Sequence, residues 1–118
     1  MKVPKSDFKI FKKEFIRIAT LLGLTHYRYD FIFEPLDDAY AQLRTNLDNK
    51  VVSIVLTTKL RDTPQPSYSP ESCALHEALH LLLADYCALA EFRYAAKIEL
   101  FEEEERVVRR LEKVLKEI

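Results

Sequence analysis

The segment CALHEALHLLLA, residues 73–84, decides the fold of this chain, because it is apolar on nearly every side of a helix. A helix of that kind is buried in the centre of a domain. Ser69 is in position to cap the helix and Pro70 to begin it, since a proline at the first helical position loses no hydrogen bond. We therefore predict a central helix that runs from Pro70 through Ala90 or beyond.

Three ionisable residues, His76, Glu77 and His80, interrupt this apolar helix in the order H-E-x-x-H. Histidines four positions apart lie one turn apart on the same face of a helix, so both imidazoles can reach one metal ion. Glu77 is rotated by about 100° from His76, which brings its carboxylate near a metal-bound water without making it a ligand. The pattern predicts a Zn²⁺ ion held by His76 and His80, with Glu77 as the general base that activates a zinc-bound water.

The alternative interpretation is that the H-E-x-x-H pattern arose by chance and that His76 and His80 are core histidines with partners in the protein. Two imidazoles and a carboxylate inside a helix rich in leucine and alanine cost free energy unless something binds them. A metal ion bound by the two histidines, with its water beside Glu77, meets that requirement. We therefore favour the metal site.

A catalytic zinc site needs a third protein ligand, and the acidic run Glu102–Glu105 near the end of the chain can supply it. Glu102 and Glu105 each have an arginine four positions further on, which predicts ion pairs on the helix surface. Glu104 falls in line with the apolar residues of this last helix and so faces the core, where a carboxylate needs a partner. We predict Glu104 as the third ligand, and Glu103 takes its place if the phase of the helix differs by one residue.

The remaining candidates carry less weight. Cys73 lies one turn before His76, but a thiol in an apolar helix is more often a small hydrophobic residue than a ligand. We expect His26, at the start of the first strand, on the surface, although it becomes a ligand candidate if Glu104 is not one. Four residues are candidates for stabilising the negatively charged oxygen of a hydrolytic reaction, and their spacing selects none of them: Tyr68, Tyr86, Arg93 and Tyr94.

The first half of the chain predicts one helix followed by three strands. Apolar residues three and four apart follow Ser6, the predicted N-cap, and end at Gly23, which can take the left-handed conformation that closes a helix. Beyond Gly23 the period changes to two, and the first strand has one aromatic face for the core. We expect these strands, in a mainly antiparallel sheet, at residues 27–33, 39–44 and 51–58. A last helix is expected from about Lys97 to Ile118.

Length and composition restrict the class of protein. A chain of 118 residues forms one domain with one core, so a single domain is expected over residues 1–118. The net charge of −1, without a separate basic stripe, argues against nucleic acid as a partner. No apolar stretch approaches the ~20 residues needed to cross a membrane. Two cysteines about 21 Å apart on one helix cannot form a disulfide, so we expect free thiols and a cytoplasmic location.

The segment at residues 73–84, together with EEERVVRRLE at residues 103–112, resembles the short zincin-like metallopeptidases found in phage and prophage genomes. The resemblance implies an α+β fold of minimal zincin type, with an N-terminal helix, the three-stranded sheet, the H-E-x-x-H helix and a C-terminal helix. It also implies two histidines from one helix and a glutamate from the next as zinc ligands, here His76, His80 and Glu104. The implied activity is hydrolysis of peptide bonds in a peptide or protein substrate.

In such folds a strand at the edge of the sheet, beside the metal, can hold a peptide as an added strand. The strand at residues 51–58 is our expectation for that edge. The alternative function is a non-catalytic binding or regulatory domain of a phage or prophage, in which zinc joins two helices and no reaction takes place.

Overall fold

The computed structural model describes residues 2–46, 49–60, 68–91 and 96–116, without the side chains of Asp85, Leu89 and Glu91. The fold is α+β, as predicted, with three helices and one three-stranded sheet in these ranges. The elements are α1 (Lys5–Leu21), β1 (Arg28–Glu34), β2 (Ala41–Asn46), β3 (Val51–Thr57), α2 (Pro70–Glu91) and α3 (Lys97–Lys116). None of these three helices combines the length and the apolar character that a membrane span requires.

The sheet is mixed, because β3 lies in the middle and pairs parallel with β1 and antiparallel with β2. The expected mainly antiparallel pairing is therefore corrected to one pair of each kind. In register, Ile54 of β3 lies between Phe31 of β1 and Leu43 of β2. After β1 the chain leaves the central position of the sheet empty and forms β2 at the opposite edge. It then returns as β3, which lies between β1 and β2.

The central position of β3 overturns the expectation that residues 51–58 offer an open edge to a peptide. Val52, Ile54 and Leu56 are fully buried on one face of the strand and Val55 on the other. A strand with neighbours on both sides and covered faces has this pattern. The edges of the sheet are β1 and β2, and β2 is the edge that contacts α2.

Helix α1 covers the aromatic face of β1. The fully buried ring of Phe15 makes edge contacts with Tyr29 and Phe31 at centroid distances of 5.5 and 5.7 Å. Phe8 stacks on Phe33 at 4.9 Å. Such aromatic pairs stabilise a fold by about 0.5–1.5 kcal/mol each beyond the burial of their surface. The prediction that β1 turns one aromatic face to the core is confirmed.

The starts of α1 and α2 differ in how well the sequence predicts them. Helix α1 begins at Lys5 with Pro4 as its N-cap and without a side-chain cap, so the prediction of Ser6 as N-cap is wrong. The φ of a proline is fixed near the helical value, and with Pro4 as N-cap the helix begins earlier in the sequence than predicted. Helix α2 begins at Pro70 as predicted, and Ser69 Oγ accepts a hydrogen bond from the N–H of Ser72 at 3.0 Å.

The three helices contribute unequally to the core. Helix α2 supplies a buried face that packs with α1 and with the inner face of the sheet. Its buried apolar residues are Cys73, Ala74, Leu75, Ala78, Leu79 and Leu81. Among the described residues of α3, only Val108 is buried, while Leu111 and Leu115 are partly buried against the core. Apolar packing therefore holds α3 less firmly than α1 or α2.

Gly23 closes α1 in the predicted left-handed conformation, with φ of +75°. Its N–H donates to the carbonyl of Thr20 at 3.1 Å, and the N–H of Leu24 donates to the carbonyl of Ala19 at 2.8 Å. These two bonds form a Schellman motif, which supplies hydrogen-bond donors to carbonyls in the last turn of a helix.

Replacing Gly23 by alanine is expected to lower the free energy of unfolding by about 1 kcal/mol, because a residue with a Cβ is strained at positive φ. No neighbouring atom lies within 4 Å of the added Cβ, so the loss reports the backbone alone. Urea denaturation at fixed metal concentration measures it. Gly23→Asn is the matched control and should lose less, since asparagine tolerates this conformation better. Equal midpoints for Gly23→Ala and the parent would contradict the assignment.

Candidate metal centre

A cleft of ≈ 690 Å³ lies between β2, α2 and α3, and the H-E-x-x-H residues open onto it. His76, Glu77 and His80 line it from α2, and Glu105 lines it from α3. The two histidines share one face of α2 because they are four residues apart, and the core-facing side chains of the same helix fix the direction of that face. The cleft brings together residues from three elements that are distant in sequence.

Three ligand-type atoms converge in this cleft. The Nε2 atoms of His76 and His80 lie 3.1 Å apart, and Oε1 of Glu105 lies 2.6 Å from the Nε2 of His80 and 3.6 Å from that of His76. Ligand atoms on one tetrahedral zinc ion, with bonds of about 2.0–2.1 Å, lie about 3.3 Å from one another. The circle through the three atoms has a radius of about 1.8 Å, so one ion can touch all of them at normal bond lengths.

The other ring nitrogens of both histidines face carboxylates of α3. His76 Nδ1 contacts Glu112 Oε1, and His80 Nδ1 lies 3.3 Å from Glu104 Oε2. Because a carboxylate only accepts hydrogen bonds, these contacts favour a proton on each Nδ1, so that each Nε2 can bind a metal ion when it carries no proton itself. Carboxylates commonly orient metal-binding histidines in this way.

This arrangement is stabilised by a positive charge, which either a cation or a proton can supply. When both Nδ1 atoms are donors and neither Nε2 carries a proton, two Nε2 atoms and one carboxylate oxygen lie at short separations and repel one another unless a positive charge lies between them. The His76–His80–Glu105 group can therefore hold a metal ion. Without an ion, a protonated His80 that donates a hydrogen bond from Nε2 to Glu105 at 2.6 Å supplies the charge.

The glutamates of α3 take different places from those predicted. The third residue of the converging group is Glu105, whereas the sequence argument selected Glu104. Glu104 lies on the far side of the His80 ring as its Nδ1 partner, so it is close to the centre without joining the group. Glu103 is 57% exposed and pairs with Arg106 at 2.8 Å, which removes it as a competitor.

Glu105 was predicted to form a surface ion pair with Arg109, and that pair exists only in a weak form, at 3.9 Å. Its other oxygen is the one that contacts His80, and the side chain is only 21% exposed. Spacing around Val108, the one buried residue in the described part of α3, does not separate the two glutamates, because Glu104 precedes it by four positions and Glu105 by three. The missed signal is the spacing of seven between Glu105 and Glu112, which puts these two carboxylates on one side of the helix.

Glu77 is buried, with a relative exposure of 6%. Its burial raises its pKa, the nearby His76 and His80 lower it, and the negative charges of Glu105 and Glu112 raise it further, so the pKa lies above the usual range. Glu77 lines the cleft beside the converging group but is not part of it. This is the position expected of a proton acceptor that is not a ligand.

His80 lies in a strongly negative environment. Burial lowers its pKa, but the hydrogen bond to Glu104 and the charges of Glu77, Glu104 and Glu105 outweigh this effect, so the pKa is raised overall. The same negative charges attract a metal cation. Protons and a cation therefore compete for this nitrogen-rich site, as they do at metal centres in general.

The other candidates lie outside the converging group. Burial, followed by the charge of Glu77, raises the pKa of Cys73 to about 12, so its thiol stays protonated and packs in the core as a small hydrophobic residue. Both Cys73 and Cys87 are free thiols, as predicted. His26 is exposed beside Tyr27, which confirms its surface position.

None of the described oxyanion candidates faces the centre. Tyr68 donates its hydroxyl hydrogen bond to Asp7 at 3.0 Å, at the start of α1. Tyr86 is 71% exposed and is not among the residues that line the cleft. The predicted candidates Arg93 and Tyr94 lie outside the described residues.

No model of a known protein family, no curated protein and no solved structure matches this chain. The resemblance to zincin-like peptidases thus stays a prediction from residues 73–84 and 103–112. The geometry of the centre is the independent observation on which a function can be based.

Zinc affinity should separate the roles of the three neighbouring glutamates. Glu105→Gln is expected to weaken zinc binding by more than about 100-fold, because it removes a charged ligand, and Glu104→Gln by about 10–100-fold, because it removes only an orienting partner. Glu103→Gln, on the exposed face of the same helix, is the matched control and should bind like the parent. Competition with a chromophoric chelator measures all three. A larger loss for Glu104→Gln than for Glu105→Gln would restore Glu104 as the ligand.

Proposed function

We propose that this chain is a zinc-dependent peptidase in which His76, His80 and Glu105 hold the ion and Glu77 is the general base. The observation that carries the proposal is the convergence of two Nε2 atoms and one carboxylate oxygen beside a buried glutamate in an open cleft. Two histidines and one carboxylate are the ligand set of many zinc peptidases and leave a fourth position for water or substrate.

The residues of the centre divide the chemistry among them. A bound zinc ion supplies Lewis acidity, which polarises a peptide carbonyl and lowers the pKa of water. Glu77 accepts a proton from the attacking water at its carboxylate and delivers it to the leaving amine as the C–N bond breaks. Glu104 and Glu112 keep both imidazoles turned with Nε2 toward the centre. Protons balance, since the oxygen of water goes to the new carboxylate and both of its protons go to the leaving amine, which departs as an ammonium group.

The edge strand β2 offers a binding surface for an extended peptide in the same cleft. The N–H of Thr57 donates to the carbonyl of Tyr40 at 2.8 Å, so Tyr40 points its carbonyl at β3. Because backbone groups alternate in an antiparallel pair, those of Ala41, Leu43 and Thr45 point away from β3. These three residues also line the cleft. A peptide added to this edge would pass beside the centre, and β2 replaces residues 51–58 as the proposed edge.

A second candidate function, a non-catalytic binding or regulatory domain stabilised by zinc, has its own support. Helix α3 buries only Val108 fully among its described residues, and its contacts with α2 include the carboxylate–histidine pairs around His76 and His80. A metal ion shared by α2 and α3 would hold these helices together without any reaction.

Glu77→Gln should abolish cleavage while zinc remains bound. Removing a general base costs about 10²–10⁴-fold in rate, and glutamine keeps the shape of the side chain. Mass spectrometry of a mixed tryptic peptide library, incubated with each zinc-loaded variant, measures cleavage, and elemental analysis measures zinc. Glu71→Gln, at the exposed start of the same helix, is the matched control and should cleave like the parent. Undiminished cleavage by Glu77→Gln would exclude this mechanism.

Removing zinc with a chelator should lower the melting temperature, because an ion bound only by the folded chain stabilises it by about 2.7 kcal/mol at 100 times its Kd. Differential scanning calorimetry with and without zinc measures the shift. A large shift combined with no cleavage of any library peptide would favour the non-catalytic domain. An unchanged melting temperature, with less than about 0.1 zinc per chain after purification, would contradict both candidates.

A further inference from the structure

Apart from the two histidines of the centre, Arg109 is the one basic side chain among the described residues that line the 690 Å³ cleft. The other lining residues are apolar, polar or acidic. The acidic members are Asp38, Glu77, Glu104 and Glu105. The guanidinium does not help the centre to bind a metal ion, because the acidic residues already attract cations. Its presence in the cleft therefore indicates a different role.

The position of Arg109 brings its guanidinium next to the centre. It follows Glu105 by four residues, so both side chains leave the same face of α3, and its Nη2 lies 3.9 Å from Glu105 Oε2. The side chain is 73% exposed. An exposed pair at this distance contributes little to stability, so the role of Arg109 is not explained by holding α3 in place.

Metal binding changes the balance of charge around Arg109. When Glu105 shares its negative charge with a bound cation, its attraction for the guanidinium falls. The guanidinium then has donors for another acceptor in the cleft. Its planar fork of N–H groups fits the two oxygens of a carboxylate, which it can bind through two parallel hydrogen bonds.

We infer that Arg109 binds a carboxylate of the substrate, either the C-terminal carboxylate of a peptide or the side chain of an aspartate or glutamate near the scissile bond. This inference rests on the proposed peptidase function and adds a substrate class to it. A peptide extended along β2 lies between that strand and α3, and Arg109 faces it from the α3 wall. The preference is therefore for peptides that carry a negative charge beside the cleaved bond.

Two other basic residues of α3 serve as comparisons. Arg106 pairs with Glu103 on the exposed face and does not line the cleft. Lys116 lines a smaller neighbouring cleft of ≈ 300 Å³, together with Glu112. Neither shares the face and the distance that connect Arg109 with Glu105.

The test measures peptide binding to the zinc-loaded Glu77→Gln variant by isothermal titration calorimetry, so that cleavage does not interfere. Three peptides of otherwise equal sequence are compared: one with a free C-terminus and glutamine, one with a C-terminal amide and glutamate, and one with a C-terminal amide and glutamine. At least one of the two charged peptides should bind about tenfold or more tightly than the neutral one. Which of them does so identifies the source of the carboxylate.

The same titrations in Arg109→Met, which keeps the length of the stem without the charge, should give equal affinities for all three peptides. Arg106→Met is the matched control and should keep the preference, and Arg109→Lys should keep part of it. Zinc content and circular dichroism of each variant exclude a changed centre or fold. Equal binding of the three peptides by Glu77→Gln, or an unchanged preference in Arg109→Met, would overturn the inference.

The outcome for Arg109 can be separated from the outcome for the peptidase function. If the parent enzyme cleaves library peptides but Glu77→Gln binds the three test peptides equally, the inference fails and the peptidase function stands. If no peptide is bound by Glu77→Gln and none is cleaved by the parent enzyme, both fail.

Discussion

The contact on which the rest of the structure depends is the docking of α3 carboxylates on the two imidazoles of α2. Glu112 and Glu104 each contact the Nδ1 of one histidine, while Glu105 approaches the Nε2 atoms of both. One helix thus orients the rings and also contributes a ligand-type oxygen. Because α3 buries few apolar side chains, these polar contacts determine its phase, that is, which face of α3 turns toward α2. The position of the third carboxylate and the width of the cleft both follow from that phase.

The sequence predicts the α2 half of the centre because its geometry is local. A spacing of four residues puts His76 and His80 on one face whatever surrounds the helix, and Glu77 is placed beside them by the same rule. The α3 half depends on how two helices meet, and no spacing within α3 determines that alone. Glu104 and Glu105 differ by about 100° around the helix axis, so a small change of phase exchanges a ligand with its neighbour. The full burial of Val108 does not distinguish them either, because Val108 follows Glu104 by four residues and Glu105 by three.

The sheet shows a similar division between what is local and what is not. Alternation in β1 predicted its aromatic face, and Gly23 predicted the end of α1, since each depends on a few adjacent residues. The order of the strands, in contrast, does not depend on adjacent residues alone. The run Val51–Thr57 carries apolar residues on both faces, which indicates a central strand, and this signal was available in the sequence. Whether β1 joins it parallel or antiparallel depends on the path of the chain between them, which strand patterns do not encode.

The order β1-β3-β2 has a consequence for the synthesis of the chain on the ribosome. β1 and β2 do not pair with each other. Each therefore has no partner strand in the sheet until β3, the last of the three, has been synthesised. Until then the aromatic face of β1 has only α1 to cover it. Pairing of β1 with β3 also closes a loop of more than twenty residues, which is slower than forming a simple hairpin. We therefore expect the local β2–β3 hairpin to form first, once β3 has been made, and β1 to join the other side of β3 afterwards.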